Sequence, residues 1–176
     1  MKVGFVGLGV MGFPMARHLA GAGHDLAVFN RSPEKAIRFV QAHGGVACES
    51  PGEAAHGRDF LVMCVGNDDD LRSVCLGETG AFAGMAEGAV LVDHTTVSAA
   101  VTRELSGVAA AQSKGFVDAP VSGGQAGAQN GILSIMCGGT QADYDAAEPV
   151  MAAYARICRR LGDSGAGQLA KMMNQI

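Results

Sequence analysis

The chain is predicted to be an α/β protein built on a doubly wound, mainly parallel sheet. Two observations predict this: short runs rich in Val, Leu and Phe alternate with longer amphipathic stretches from end to end, and a glycine-rich turn joins the first run to the first amphipathic stretch. With 176 residues, 48% of them apolar and 17% charged, there is material for one sizeable core.

The elements follow in order. Residues 3–6, 25–29, 59–65, 89–93 and 115–118 read as strands covered on both faces, because they are short and nearly continuous in apolar side chains. Between the first two, residues 11–22 place Met11, Met15, Ala16, Leu19 and Ala20 on one helical face, and residues 34–42 repeat the pattern with Ile37 and Val40. Asp68, Asp69 and Asp70 read as a helix N-terminus favoured by the dipole, since they lack the spaced partners of a metal site. Ser98 is a good N-cap for a helix running to about residue 113, with Leu105, Val108 and Ala109 on its apolar stripe. A strand over 132–137, a helix over 144–153 and a short strand over 155–158 complete the pattern. The final stretch, 168–176, is amphipathic again. Its apolar residues Leu169, Met172, Met173 and Ile176 have little chain left to cover them, which predicts burial by a subunit interface or by further polypeptide.

Composition excludes several function classes. There are 26 glycines, no Trp and two Tyr, so stacking platforms for nucleic acid are not expected. A net charge of −4, with 13 Lys and Arg spread along the chain, gives no basic footprint. Cys48, Cys64, Cys75, Cys137 and Cys158 are odd in number and show no CxxC spacing, which predicts reduced thiols and no metal site. No apolar run reaches the roughly 20 residues of a membrane span, so a soluble, cytoplasmic protein without membrane partners is expected.

Gly7-Leu8-Gly9-Val10-Met11-Gly12 is a GxGxxG sequence directly after a strand and directly before a helix. In that context it predicts a Rossmann-type dinucleotide site. Gly7 permits the tight turn, Gly9 lets a diphosphate approach the backbone, and Gly12 lets the helix pack closely, while the helix N-terminus supplies N–H donors. The second strand ends at Asn30-Arg31-Ser32, where an NAD site is expected to carry a carboxylate for the ribose 2′-hydroxyl. An Arg flanked by amide and hydroxyl groups accepts a 2′-phosphate instead, so NADP is favoured over NAD; a plain cap for the helix beginning near Pro33 is the alternative reading of Ser32.

Two further groups carry chemistry. Asp118-Ala119-Pro120-Val121-Ser122-Gly123-Gly124 follows a strand and leads into a short helix over 125–129, on the sheet edge where ligands bind. Its glycine amides and the Ser122 hydroxyl suit a carboxylate, and a turn without ligand is the alternative. Gly167, Lys171 and Asn174 share one face of the terminal helix, where the glycine would clear space beside the lysine. Oxidising an alcohol by hydride removal needs a base for the hydroxyl proton, and Lys171 is chemically suited to that role, with Asn174 holding substrate; a solvated surface lysine is the alternative. His94 follows a strand end, where contact with a ligand is one reading, but standing alone it reads as structural or exposed.

With these elements in this order, the chain resembles the β-hydroxyacid dehydrogenase family, the group of 3-hydroxyisobutyrate dehydrogenase, tartronate semialdehyde reductase and the glyoxylate or succinic semialdehyde reductases. Residues 3–16 resemble its opening signature, 118–124 its substrate loop and 167–174 its catalytic-lysine helix. The resemblance implies that Lys171 is the general acid/base, that Ser122, Gly123, Gly124 and Asn174 bind the substrate, and that Val65, Gly66 and Thr96 border the cofactor. Gln175 and Ile132 depart from the family's usual Asn and Thr. The resemblance also implies a 6-phosphogluconate dehydrogenase-like division, with residues 1–164 as the NADP-binding domain and 165–176 opening an interdomain helix. Family members continue into an all-helical domain and form homo-oligomers, so little turnover is expected of these residues alone. A noncatalytic NADP-binding module is the reading from another class, and an imine reductase of the same fold is a third, which Lys171 counts against.

Overall fold

The computed structural model describes residues 1–174, so the readings of Gln175 and Ile176 lie outside the described residues. Among the described residues the chain runs β1 (Lys2–Val6), α1 (Gly12–Gly21), β2 (Asp25–Phe29), α2 (Pro33–His43), β3 (Val46–Ala47), α3 (Pro51–Ala55), β4 (Phe60–Met63), α4 (Asp68–Cys75), α5 (Ala81–Gly84), β5 (Val90–Asp93), α6 (Ala99–Ala111), β6 (Gly115–Asp118), β7 (Val121–Ser122), α7 (Gly124–Asn130), β8 (Leu133–Gly138), α8 (Gln141–Met151), β9 (Ala155–Gly162) and α9 (Ala166–Asn174).

The sheet has the order β3-β2-β1-β4-β5-β6-β8-β7, with β9 added alongside β8. Strands β1 to β6 are mutually parallel, and the direction reverses where Asp118 of β6 meets Gly138 of β8. The doubly wound, mainly parallel prediction holds. Side chains alternate across the sheet, so Val3, Phe5, Val62, Val92 and Val117 enter one core with α1, α2 and α8. Val6, Leu61, Met63, Leu91 and Phe116 enter the other, against α3, α4 and α6. Each such side chain taken out of water contributes roughly 1.5–3 kcal/mol, which is why these strands need no polar face.

Several boundaries differ from the sequence expectation. Strand β9 runs on to Gly162, held by pairing Met136 with Arg159 and Cys137 with Arg160, although its second half looks like loop in composition. Helix α8 starts at Gln141 because Thr140 caps it, accepting from the Asp143 amide at 3.1 Å. Strands β3 and β7 and helices α3 and α5 were not predicted; they span two to five residues, too short for a periodic signal. Ser98 caps α6 as expected, and Asn67 caps α4, putting Asp68, Asp69 and Asp70 in its first turn. The order reverses about β1 and β4, which opens a crevice at their carboxyl ends.

Candidate active site

The crevice is a cleft of about 380 Å³ whose walls come from three loops: Gly7, Gly9, Val10, Met11 and Gly12 after β1, Asn30, Arg31 and Ser32 after β2, and Cys64, Val65 and Gly66 after β4. Helices α2 and α4 add Lys35, Asp70, Ser73 and Val74. The three glycines differ in what they allow. Gly7 sits at φ +96°, and a side chain there would strike the Cys64 carbonyl. A side chain at Gly12 would strike the Gly7 carbonyl, so that glycine lets α1 start against the turn. Around Gly9 nothing lies within 4 Å of an added Cβ. This open backbone faces the start of α1, which has neither a side-chain cap nor an acidic residue in its first turn. An uncapped N-terminus bearing the positive end of the helix dipole, beside open space, fits the diphosphate of a dinucleotide.

Leu8 and Asn30 have other tasks. The Leu8 side chain is buried in the core, and its amide donates to Asn30 Oδ1 at 2.8 Å. Asn30 Nδ2 donates to the Ser32 carbonyl at 3.1 Å. Both ends of the Asn30 amide are thus committed to tying the glycine turn to the β2–α2 loop. Ser32 stands at the N-cap of α2, yet its hydroxyl makes no cap bond, so the plain-cap alternative for it is not realised. Arg31 is 91% exposed at the cleft's lip, with its guanidinium 3.6 Å from Asp70 Oδ1.

The other end of the site is organised by α9. Asp118, buried at the end of β6, accepts the Gly165 amide on Oδ1 at 2.8 Å and the Gln168 amide on Oδ2 at 3.1 Å. Burial raises its carboxyl above the usual range, and those amide donors pull the other way. Gln168, fully buried, donates from Nε2 to the Thr95 carbonyl at 2.7 Å and accepts the Val97 amide at 3.2 Å. Gly167 does not clear space beside Lys171, as its spacing suggested; a side chain there would meet the Met136 carbonyl and Asp118, so the glycine lets α9 lie close on β6 and β8.

Anchored in this way, α9 carries half-buried Lys171 and exposed Asn174. Asn174 Nδ2 donates to Ser122 Oγ at 3.4 Å, which brings the lysine helix to the loop of Gly123 and Gly124. Both glycines have positive φ, +129° and +60°. Among the described residues Lys171 makes no ion pair. Thr96 is exposed on the β5–α6 loop and is not part of the cleft wall. On the same helix Leu169, Met172 and Met173 are exposed.

A buried polar layer joins the two ends. His94 Nδ1 donates to the Ala119 carbonyl at 2.6 Å, so Nε2 accepts from the Tyr154 hydroxyl at 2.7 Å and the ring is neutral. Burial lowers it to about 4. It is buried and bonded at both ring nitrogens, which fits the structural reading of its sequence position and not the exposed one. Burial likewise pushes the Asp93 carboxyl up to about 7, against the Thr95 hydrogen bonds; Oδ1 accepts the Thr95 amide at 3.0 Å, and among the described residues Oδ2 has no partner. Thr95 Oγ1 accepts the Val65 amide at 3.0 Å, which fixes the cleft wall. Cys64 is pushed up to about 12, mainly by burial and then by Asp93, so its thiol stays protonated. Gln168, Thr95 and Asp70 were not singled out as site residues in the sequence, because their partners lie 73, 30 and 39 positions away.

Comparison with known proteins agrees with this fold. Residues 2–162 match the family model of the NAD binding domain of 6-phosphogluconate dehydrogenase. An uncharacterized oxidoreductase of Shewanella frigidimarina is 56% identical over 175 residues, covering 99% of this chain and 60% of the relative. The structure of Mycobacterium tuberculosis 3-hydroxyisobutyrate dehydrogenase with L-serine superposes with a TM-score of 0.92 at 33% identity, over 98% of this chain and 58% of that one. Psf3, solved in complex with NADP+ and 2-OPP, gives 0.92 at 28% identity over 98% of this chain and 61% of that one. The chain thus spans about 60% of the length of these relatives.

Proposed function

The chain belongs to the β-hydroxyacid dehydrogenase family, with an NAD-binding domain of the 6-phosphogluconate dehydrogenase type, and from that premise we propose that it serves an NADP-dependent oxidoreductase interconverting a small 3-hydroxy acid and its semialdehyde. The observation that carries the reading is the meeting of α9 with the substrate loop at Ser122 and Asn174, on a sheet whose neighbouring crevice holds an open Gly9 below an uncapped helix. Arg31, Ser32 and Lys35 at the lip support NADP over NAD. The nicotinamide, when bound, supplies the hydride acceptor or donor.

The chain's own groups do the rest. The Gly123 and Gly124 amides and the Ser122 hydroxyl donate hydrogen bonds to the substrate carboxylate, and Asn174 orients the reacting end. Lys171 takes the hydroxyl proton as the alcohol is oxidised and returns it to the carbonyl oxygen in reduction. The Asp118 and Gln168 bonds hold α9 so that Lys171 acts from a fixed helix. Val65 and Gly66 border the cofactor, with Thr96 toward its nicotinamide side. The same reading takes residues 1–164 as the cofactor domain, 165–176 as the opening of the catalytic helix, and a cytoplasmic homo-oligomer as the working form.

Turnover of 3-hydroxyisobutyrate with NADP, in the natural polypeptide containing residues 1–176, tests the reading. Lys171→Ala should lower kcat at least 100-fold, the low end of the usual contribution of a general acid or base, while the affinity for NADP stays within a factor of two. Unchanged kcat would remove Lys171 from the mechanism.

A further inference from the structure

The lip of the cleft contains a feature that the cofactor reading leaves unused. Arg31 and Lys35 bring two positive charges to it, and Asp70 on α4 brings a carboxylate to the same wall. The Arg31–Asp70 contact crosses the cleft from the β2–α2 loop to α4. At 3.6 Å, with Arg31 91% and Asp70 36% exposed, it is a loose pair in solvent, and pairs of this kind exchange readily for a better anion.

The two partners sit differently in the cleft, Arg31 out at the lip and Asp70 on the wall. The Asp70 amide is held by Asn67 Oδ1 at 2.9 Å, and Asp70 Oδ2 lies against Gly66, where any Cβ would collide with it. The Asp70 carboxylate thus lies beside the Gly66 backbone on the cleft wall, facing Arg31. A 2′-phosphate arriving at Arg31 brings up to two negative charges beside that of Asp70. A 2′-hydroxyl in the same position can donate a hydrogen bond to that carboxylate.

We propose that Asp70 is a cofactor-discriminating residue of this cleft: it holds Arg31 in the absence of ligand, repels a 2′-phosphate and accepts from a 2′-hydroxyl, so that it limits the preference for NADP that Arg31 and Lys35 create. This rests on the cofactor reading proposed above. It also gives Gly66 a role, because a larger residue there would displace the carboxylate from the wall.

Calorimetric titration of the chain and of its Asp70→Asn variant with NADP and with NAD, at low ionic strength, tests the assignment. Asparagine keeps the shape and removes the charge. The ratio of NADP to NAD affinity should rise about tenfold, the scale expected for one charge a few ångströms from a phosphate near a surface. The gain should shrink at about 1 M salt, where the screening length falls to about 3 Å. Asp69→Asn is the control for net charge, since Asp69 is 97% exposed on the same helix turn and does not line the cleft; its ratio should stay at the wild-type value. A ratio unchanged or lowered in Asp70→Asn, or raised equally in Asp69→Asn, would overturn the role of Asp70 while leaving the cofactor reading in place. Wild-type chain that binds neither dinucleotide would overturn both.

Discussion

Three glycines within six residues have three different physical reasons, and their substitutions should separate accordingly. Gly12 touches the Gly7 carbonyl, so Gly12→Ala forces backbone apart and should cost about 1–3 kcal/mol of stability. A Cβ added at Gly9 meets nothing within 4 Å among the described residues, so Gly9→Ala should leave stability within about 0.5 kcal/mol and act on ligand binding. Denaturant midpoints of the two variants check this; equal loss in both would mean that the turn is not built as described. These roles were legible in the sequence because GxGxxG between a strand and a helix dictates backbone geometry locally. The place of Arg31 on the cleft lip was legible for the same reason, since it lies next to the strand end that presents it. Its partner Asp70 was read only as a favourable helix-start charge, since nothing local ties positions 39 apart in the chain.

At the scale of elements, α9 is the instructive case. Its helical spacing and the shared face of Lys171 and Asn174 could be read directly, but its attachment could not. The reading of Gly167 as space for the lysine considered only the helix itself, whereas the contact that matters is with Met136 and Asp118 on the sheet. Gln168, at the start of the amphipathic stretch, is fully buried, bridging the Thr95 carbonyl and the Val97 amide. Gln168→Ala leaves both backbone groups buried without a partner, at about 1–3 kcal/mol each. Hydrogen exchange should then show faster exchange in α9 with α1 unchanged. Wild-type protection of α9 in that variant would mean that Asp118 alone anchors the helix.

At the scale of the whole molecule, two buried groups set opposing pH responses. His94 is held near 4 against an ordinary 6.5, so the unfolded chain binds a proton between those values that the folded chain refuses; this contribution to stability is present above pH about 6.5 and is lost as the pH falls toward 4. Asp93 is raised from 3.8 to about 7, so the folded chain keeps a proton there that the unfolded chain releases, and stability falls as the pH rises from about 4 to 7. The two offset one another in the wild type. Asp93→Asn removes the Asp93 response and leaves that of His94 unopposed by it, so its Tm should climb by about 5 °C or more between pH 4.5 and 6.5 relative to the wild-type profile; parallel profiles would contradict the raised Asp93 carboxyl.

The doubly wound sheet brings the glycine turn, the Arg31 lip and the Val65–Gly66 wall to one crevice, and the account stands on a dinucleotide occupying it. Calorimetric titration of NADP into the wild-type chain and into Gly9→Ala, with matched thermal unfolding, tests this most directly. The prediction is saturable binding at one site, weakened at least tenfold in Gly9→Ala with Tm unchanged. No binding to the wild type, or equal binding to both, would contradict it.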